Sequence, residues 1–128
     1  MNANNTIILG LIQQTRSKNI SQNLEVSIKA IRKSTDQGAQ IICLQELFRS
    51  HYFCQAEESE EFKLAETIPG PSTDILSNLA RELSVVLVVP LFEKRAQGIY
   101  HNTAVIIDAD GSIAGCYRKM HIPNDPYF

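Results

Sequence analysis

Apolar residues follow two rhythms along this chain. Thr6 to Ile12 (TIILGLI) is a short, nearly continuous apolar run rich in β-branched residues, the pattern of a strand buried on both faces. Behind Ser21, a residue suited to a helix N-cap, Leu24, Ile28 and Ile31 recur at helical spacing. Gly38 then serves as the C′ residue, because glycine enters the left-handed region without strain. AQIICLQE, Ala39 to Glu46, reads as a second buried strand. Strand, helix and strand within about forty residues make a βαβ unit, with parallel pairing and a right-handed crossover.

The middle of the chain is less regular. Leu47 to Gln55 is aromatic, and EESEEFKLAE (Glu57 to Glu66) predicts a short helix with an acidic first turn. IPGPS breaks the pattern. Ser72 or Thr73 then caps a helix running to about Leu83, with Ile75, Leu76, Leu79, Ala80 and Leu83 on its apolar face. VVLVVPLFE is a third buried strand, with Pro90 near its far end or at a bulge. Tyr100 to Asp108 is a fourth strand, and Asp110-Gly111 is a strong hairpin signal leading into SIAGCYRKM, the fifth. The order βαβαβββ, parallel units followed by an antiparallel meander, indicates a layered α/β sheet with helices on at least one face.

Composition adds exclusions. The chain has 128 residues, 44% hydrophobic and 20% charged, with a net charge of −2. One domain with a useful core fits that length. Nucleic acid is not an expected partner without a basic face. The longest apolar run, Val85 to Phe92, is too short to span a bilayer, and the N-terminus lacks the basic region of a signal peptide. Three cysteines, Cys43, Cys54 and Cys116, and histidines at 51, 101 and 121 give no zinc-ligand spacing. Reduced thiols in a cytoplasmic protein are the default expectation.

Two residues stand where chemistry is possible. Glu46 lies at the carboxyl end of a parallel strand, the edge at which open α/β sheets bind ligands, and partial burial suits a carboxylate to general-base work. Capping the next turn, or pairing with Arg49, is its structural alternative. Lys119 ends another strand, with Arg118 directed to the opposite face by the period of two. Its ammonium suits a developing oxyanion, although a solvated strand-end lysine is the plainer role. None of the thiols reads as a nucleophile. Cys116 faces away from Lys119, Cys43 is mid-strand on the face opposite Glu46 and reads as core, and Cys54 is expected to pack among Phe48, Tyr52 and Phe53. The acidic run Glu57, Glu58, Glu60 and Glu61 reads as a solvated helix start, with attraction of a cationic substrate as its functional alternative. The histidines have no acidic or serine partner at recognisable spacing.

In this order and spacing, CLQELF, the aromatic HYFCQ, the break IPGPST and YHNTAVIIDADGSIAGCYRKMHIP resemble the N-terminal part of the nitrilase, or carbon–nitrogen hydrolase, superfamily. Within it they are most similar to the N-carbamoylputrescine amidases of polyamine biosynthesis. The resemblance implies an α/β fold that is the N-terminal part of a four-layer αββα sandwich, and a Glu–Lys–Cys triad. It assigns Glu46 as general base, Lys119 as stabiliser of the tetrahedral intermediate and Tyr52 to substrate binding. A cysteine thiolate would attack a carbamoyl or amide carbon of a small molecule, and water would hydrolyse the thioester. No metal or organic cofactor is implied, and the full-length parent is expected to be a homo-oligomer. In the family the cysteine comes on a later strand elbow. Residues 1–128 are therefore expected to be a partial domain that stops before the nucleophile, is inactive alone and leaves an apolar sheet face uncovered. Two other readings stay open: another amidase branch such as a β-ureidopropionase, and a non-catalytic binding or assembly module.

Overall fold

The computed structural model describes residues 6–54 and 59–123. Its elements are β1 (Leu9–Ile12), α1 (Ile20–Asp36), β2 (Ile41–Leu44), a 3₁₀ turn (Ser59–Leu64), α2 (Pro71–Leu83), β3 (Val86–Ala96), β4 (Ile99–Ile107) and β5 (Ile113–Arg118). Apart from the 3₁₀ turn, the order is the βαβαβββ read from the pattern. The five strands form one mixed sheet in sequence order: β1, β2 and β3 run parallel, and β3, β4 and β5 antiparallel.

Helix boundaries shift from the sequence reading for local reasons. Asn19, not Ser21, caps α1, its side chain accepting from Gln22 N at 3.0 Å. Helix α2 starts at Pro71, whose missing N–H is harmless in the first turn. Thr73 therefore lies at N3, where its Oγ1 accepts from Gly70 N at 2.7 Å and donates to Gly70 O at 2.9 Å. Ser72 N donates to the Glu66 carboxylate at 2.8 Å, which satisfies another free amide of that turn. Gly38 follows the end of α1 at φ +91°, a left-handed conformation that glycine adopts readily.

Pro90 lies mid-strand, against the expectation of a strand end or bulge. Pairing of β2 with β3 stops at Cys43 and Val88. Beyond that point β3 pairs with β4 on one side and on the other meets only the short bridge of Glu66 with Glu93, so proline falls where that other side carries no continuous ladder.

Both helices cover one sheet face. Ile42, Leu44, Leu87, Val89, Leu91 and Ile107 from the strands pack with Ile31 of α1 and Leu76, Leu79 and Ala80 of α2 in one buried cluster. The other face has no such cover among the described residues. Leu9 is 61% exposed and Leu11 80%, so β1 is buried on one face and not on two. No helix among the described residues is long and apolar enough to cross a membrane. Glu57, Glu58 and the NDPYF end of the resemblance lie outside the described residues.

Candidate active site

Strand β2 ends at Leu44, and the chain turns through residues 45–50. Leu47 takes φ +51° there, an uncommon conformation for a branched side chain that costs about 1–3 kcal/mol. Burial offsets it: Leu47 is 3% exposed and Phe48 fully enclosed, and each such side chain contributes about 1.5–3 kcal/mol. A backbone bond from Ser50 N to Leu47 O at 3.1 Å and a side-chain bond from Asn23 Nδ2 to Arg49 O at 2.9 Å fasten the turn. Glu46 sits on this anchored corner.

Lys119 follows β5 directly. Its N–H donates to Asn102 O at 2.8 Å, which extends the ladder that pairs Arg118 with Thr103. Lys119 Nζ lies 3.1 Å from Glu46 Oε1, and Asn102 Nδ2 donates to the same oxygen at 2.6 Å. Three separate stretches, the β2–α2 connection, β4 and the end of β5, thus meet at one carboxylate oxygen. Strand periodicity puts Asn102 and Lys119 on the face shared with Cys43. Glu46 reaches that face because the strand stops at Leu44 and the turn redirects it. The expectation that Glu46 and Cys43 oppose each other fails for this reason.

The alternative pairing of Glu46 with Arg49 does not form. Arg49 binds Glu66 at 2.8 Å instead. Burial raises the pKa of Glu46, but the hydrogen bonds from Lys119 and Asn102 and the charge of Lys119 outweigh it and hold the carboxyl below its ordinary value. The hydrogen bond and charge of Glu46 in turn raise the Lys119 ammonium. The ion pair is 37% and 44% exposed on its two side chains, so it contributes at most about 1 kcal/mol to stability. Its value is geometric.

Arg118 reaches the other way. Its Nε and Nη2 donate to the two oxygens of Glu93 at 2.8 and 2.6 Å, and Thr103 Oγ1 donates to the same carboxylate at 2.6 Å. Glu93 is 3% exposed at its side chain. This buried clamp, one residue before Lys119, fixes where β5 ends.

An open cleft of about 520 Å³ lies beside Glu46, lined also by Gln13, Arg16, Gln45, Ser50 and Tyr52, a volume suited to a small molecule. Tyr52 therefore shares the cleft with Glu46. Cys54 lies near Tyr52 and feels the charges of both Glu46 and Lys119, a different setting from packing beside Phe48, which is enclosed under the helices. Burial, then Glu46, pushes the Cys54 thiol up. Cys43 is half-buried on the uncovered face rather than in the core, and Cys116 is exposed. His51 Nε2 stands 3.3 Å from Glu61, an acidic partner invisible in sequence spacing. Glu60 pairs with Lys63. Phe53, Phe62, Phe92 and Tyr100 form an aromatic wall with centroids 4.5–5.9 Å apart. Among the described residues no group of three or more His, Cys, Asp or Glu side chains is placed to hold a metal ion.

Sequence reasoning missed Asn102 and Glu93. A polar residue inside a strand reads as surface decoration, yet a signal existed for Asn102. Reflecting Lys119 across the Asp110-Gly111 turn lands on residue 102, as the observed ladder does.

The carbon-nitrogen hydrolase family profile matches residues 8–128. N-carbamoylputrescine amidase from Solanum lycopersicum is 40% identical over 96% of this chain and 41% of its own length. Citrullinase from Francisella tularensis is 37% identical over 92% of the chain and 41% of its own. The crystal structure of a carbon-nitrogen hydrolase from Helicobacter pylori G27 superposes with TM-score 0.87 at 39% identity, covering 92% of this chain and 41% of that one. The chain thus spans about two-fifths of the length of these relatives, and its five-stranded mixed sheet matches the N-terminal part of the nitrilase fold. The chain belongs to the carbon–nitrogen hydrolase family.

Proposed function

We propose that this chain supplies the base and the lysine of an amidohydrolase that cleaves a C–N bond of a carbamoyl or amide substrate, with N-carbamoylputrescine as that substrate. The observation that carries the reading is the 3.1 Å contact between Lys119 Nζ and Glu46 Oε1 beside an open cleft. The likeness to the tomato enzyme supports the choice of substrate, and Tyr52 is its contact on the cleft wall.

In this reading Glu46 takes the proton of a cysteine thiol, and the thiolate adds to the carbamoyl carbon. The oxygen of the tetrahedral adduct gains negative charge against the Lys119 ammonium. As the C–N bond breaks, Glu46 returns the proton to the departing nitrogen and the acyl group stays on sulfur. Water, deprotonated by Glu46, then adds to the thioester carbon and frees the sulfur, which takes the proton back. The carbamic acid released loses carbon dioxide to give the second amine, so the products are putrescine, carbon dioxide and ammonia. None of Cys43, Cys54 or Cys116 is assigned as that thiol. The raised pKa of Cys54 opposes thiolate formation, Cys43 lies half-buried in β2, and Cys116 stands an odd number of residues from Lys119 on an extended strand.

These residues make one sheet of a two-sheet domain in the same reading. Leu9 and Leu11 are apolar where the pattern asks for cover and the described residues provide none. A polypeptide of these 128 residues alone is expected to be inactive. The test is a chimera in which residues 8–128 replace the matching segment of the tomato amidase. It is expected to release ammonia from N-carbamoylputrescine and to lose that activity with Glu46→Gln. A chimera that turns over citrulline but not N-carbamoylputrescine overturns the substrate, and one indifferent to Glu46→Gln overturns the site.

A further inference from the structure

The two donors at Glu46 are not shared between its oxygens. Asn102 Nδ2 and Lys119 Nζ both point at Oε1, at 2.6 and 3.1 Å. Among the described residues Oε2 accepts no hydrogen bond. We propose that Asn102 is a positioning residue that, with Lys119, saturates Oε1 and so makes Oε2 the oxygen that accepts the proton. This rests on the reading of Glu46 as the base. The argument is one of lone pairs and access. As oriented here, a protonated Oε1 would turn its O–H toward an ammonium and the Asn102 NH₂, neither of which accepts, whereas a proton on Oε2 leaves both contacts intact. Asn102 also binds through its backbone, since its carbonyl accepts from Lys119 N at 2.8 Å. One residue thereby holds the base by its side chain and the lysine by its main chain, and fixes the distance between them.

Side chain and main chain separate cleanly in a test, because replacing the amide leaves the strand ladder in place. Other charges face Glu46 as well: Lys119 from the end of β5, and Tyr52 and Cys54 from the segment after β2. Arg16, from the segment after β1, lines the same cleft. None of these changes with position 102. The experiment is a carboxyl-carbon NMR titration of Glu46 in the 128-residue chain, with Asn102→Ala and the isosteric Asn102→Asp. Asn102→Ala is expected to move the Glu46 titration to higher pH, and Asn102→Asp to move it further, since an acceptor then faces Oε1. The added carboxylate of Asn102→Asp raises Glu46 by charge whatever the role of the amide, so Asn102→Ala decides: a Glu46 titration there like the parent's overturns the proposal.

The parent protein gives a second readout that needs no variant. The Asn102 side-chain NH₂ is expected to keep its slow hydrogen exchange on both sides of the Glu46 titration. Exchange that turns fast as Glu46 protonates means the proton has landed on Oε1, and the proposal fails. Failure of the chimera to act on N-carbamoylputrescine, with these titrations as expected, would sink the substrate and leave the role of Asn102 standing.

Discussion

Replacing Glu93 with glutamine tests the clamp that ends β5. The carboxylate takes three hydrogen bonds, from Thr103 Oγ1 at 2.6 Å and from Arg118 Nε and Nη2 at 2.8 and 2.6 Å. Glutamine has the same shape but turns one acceptor into a donor, so at least one contact becomes donor against donor. A hydrogen bond to a charged group contributes about 1.5–3 kcal/mol, and stranding one member of a buried pair costs about 3–5 kcal/mol. The Arg118 side chain is 36% exposed and reaches water, which puts the expected loss at the lower end, about 2–3 kcal/mol near neutral pH. With a urea dependence of about 1–3 kcal/mol per molar, the unfolding midpoint should fall by roughly 1–2 M. The loss should also depend on pH. Burial raises the Glu93 pKa, but Arg118 and Thr103 outweigh it and hold the carboxyl below its ordinary value. A depressed folded pKa stabilises fully above the unfolded value and ceases to do so as pH falls through the folded one. Glutamine does not titrate, so the gap between the two proteins narrows as pH drops below the ordinary glutamate value of 4.5. Urea melts followed by circular dichroism, near neutrality and in acid, measure both quantities. A neutral-pH loss below about 0.5 kcal/mol, the level of an ordinary surface substitution, or a gap unchanged by acid, refutes the reasoning.

Two further outcomes follow from the sheet and its turns. The 128-residue polypeptide is expected to self-associate through the face bearing Leu9 and Leu11, and Leu11→Lys to shift it toward monomer in sedimentation velocity; a parent that stays monomeric at high concentration counts against this. Gly98 and Gly111 both take positive φ, +73° and +82°, but an added Cβ meets nothing at Gly98 and lies 2.5 Å from Ser77 O at Gly111. Gly98→Ala should therefore lose about 1–2 kcal/mol from backbone strain alone, and Gly111→Ala clearly more by thermal or urea melts; equal losses would mean the clash is relieved without cost.

The order of elements was legible because turn residues punctuate it: Gly38, the IPGPS break and Asp110-Gly111 each fall at a boundary. Helix starts were less so. Asn19 and Ser21 are equally competent caps within one turn, and only the packing of α1 on the sheet chooses between them. Continuous apolar runs such as VVLVVPLF carry no period of two, so they could not say which face the helices cover. Glu46 and Lys119 were each recognisable as strand-end residues. Their common oxygen was not, because the turn at Leu47 redirects Glu46 out of strand register. The His51–Glu61 contact was hidden for a similar reason, since an irregular segment sets it.

Seventy-three residues separate Glu46 from Lys119, and that interval has a bearing on synthesis. No local segment brings the two charges together, because every intervening strand must dock before the last one can align. A nascent polypeptide therefore carries its acid unmated while β3, β4 and β5 are still being made. The ion pair marks the docking of β5, and a spectroscopic reporter on that carboxyl would count the molecules in which that strand has joined the sheet.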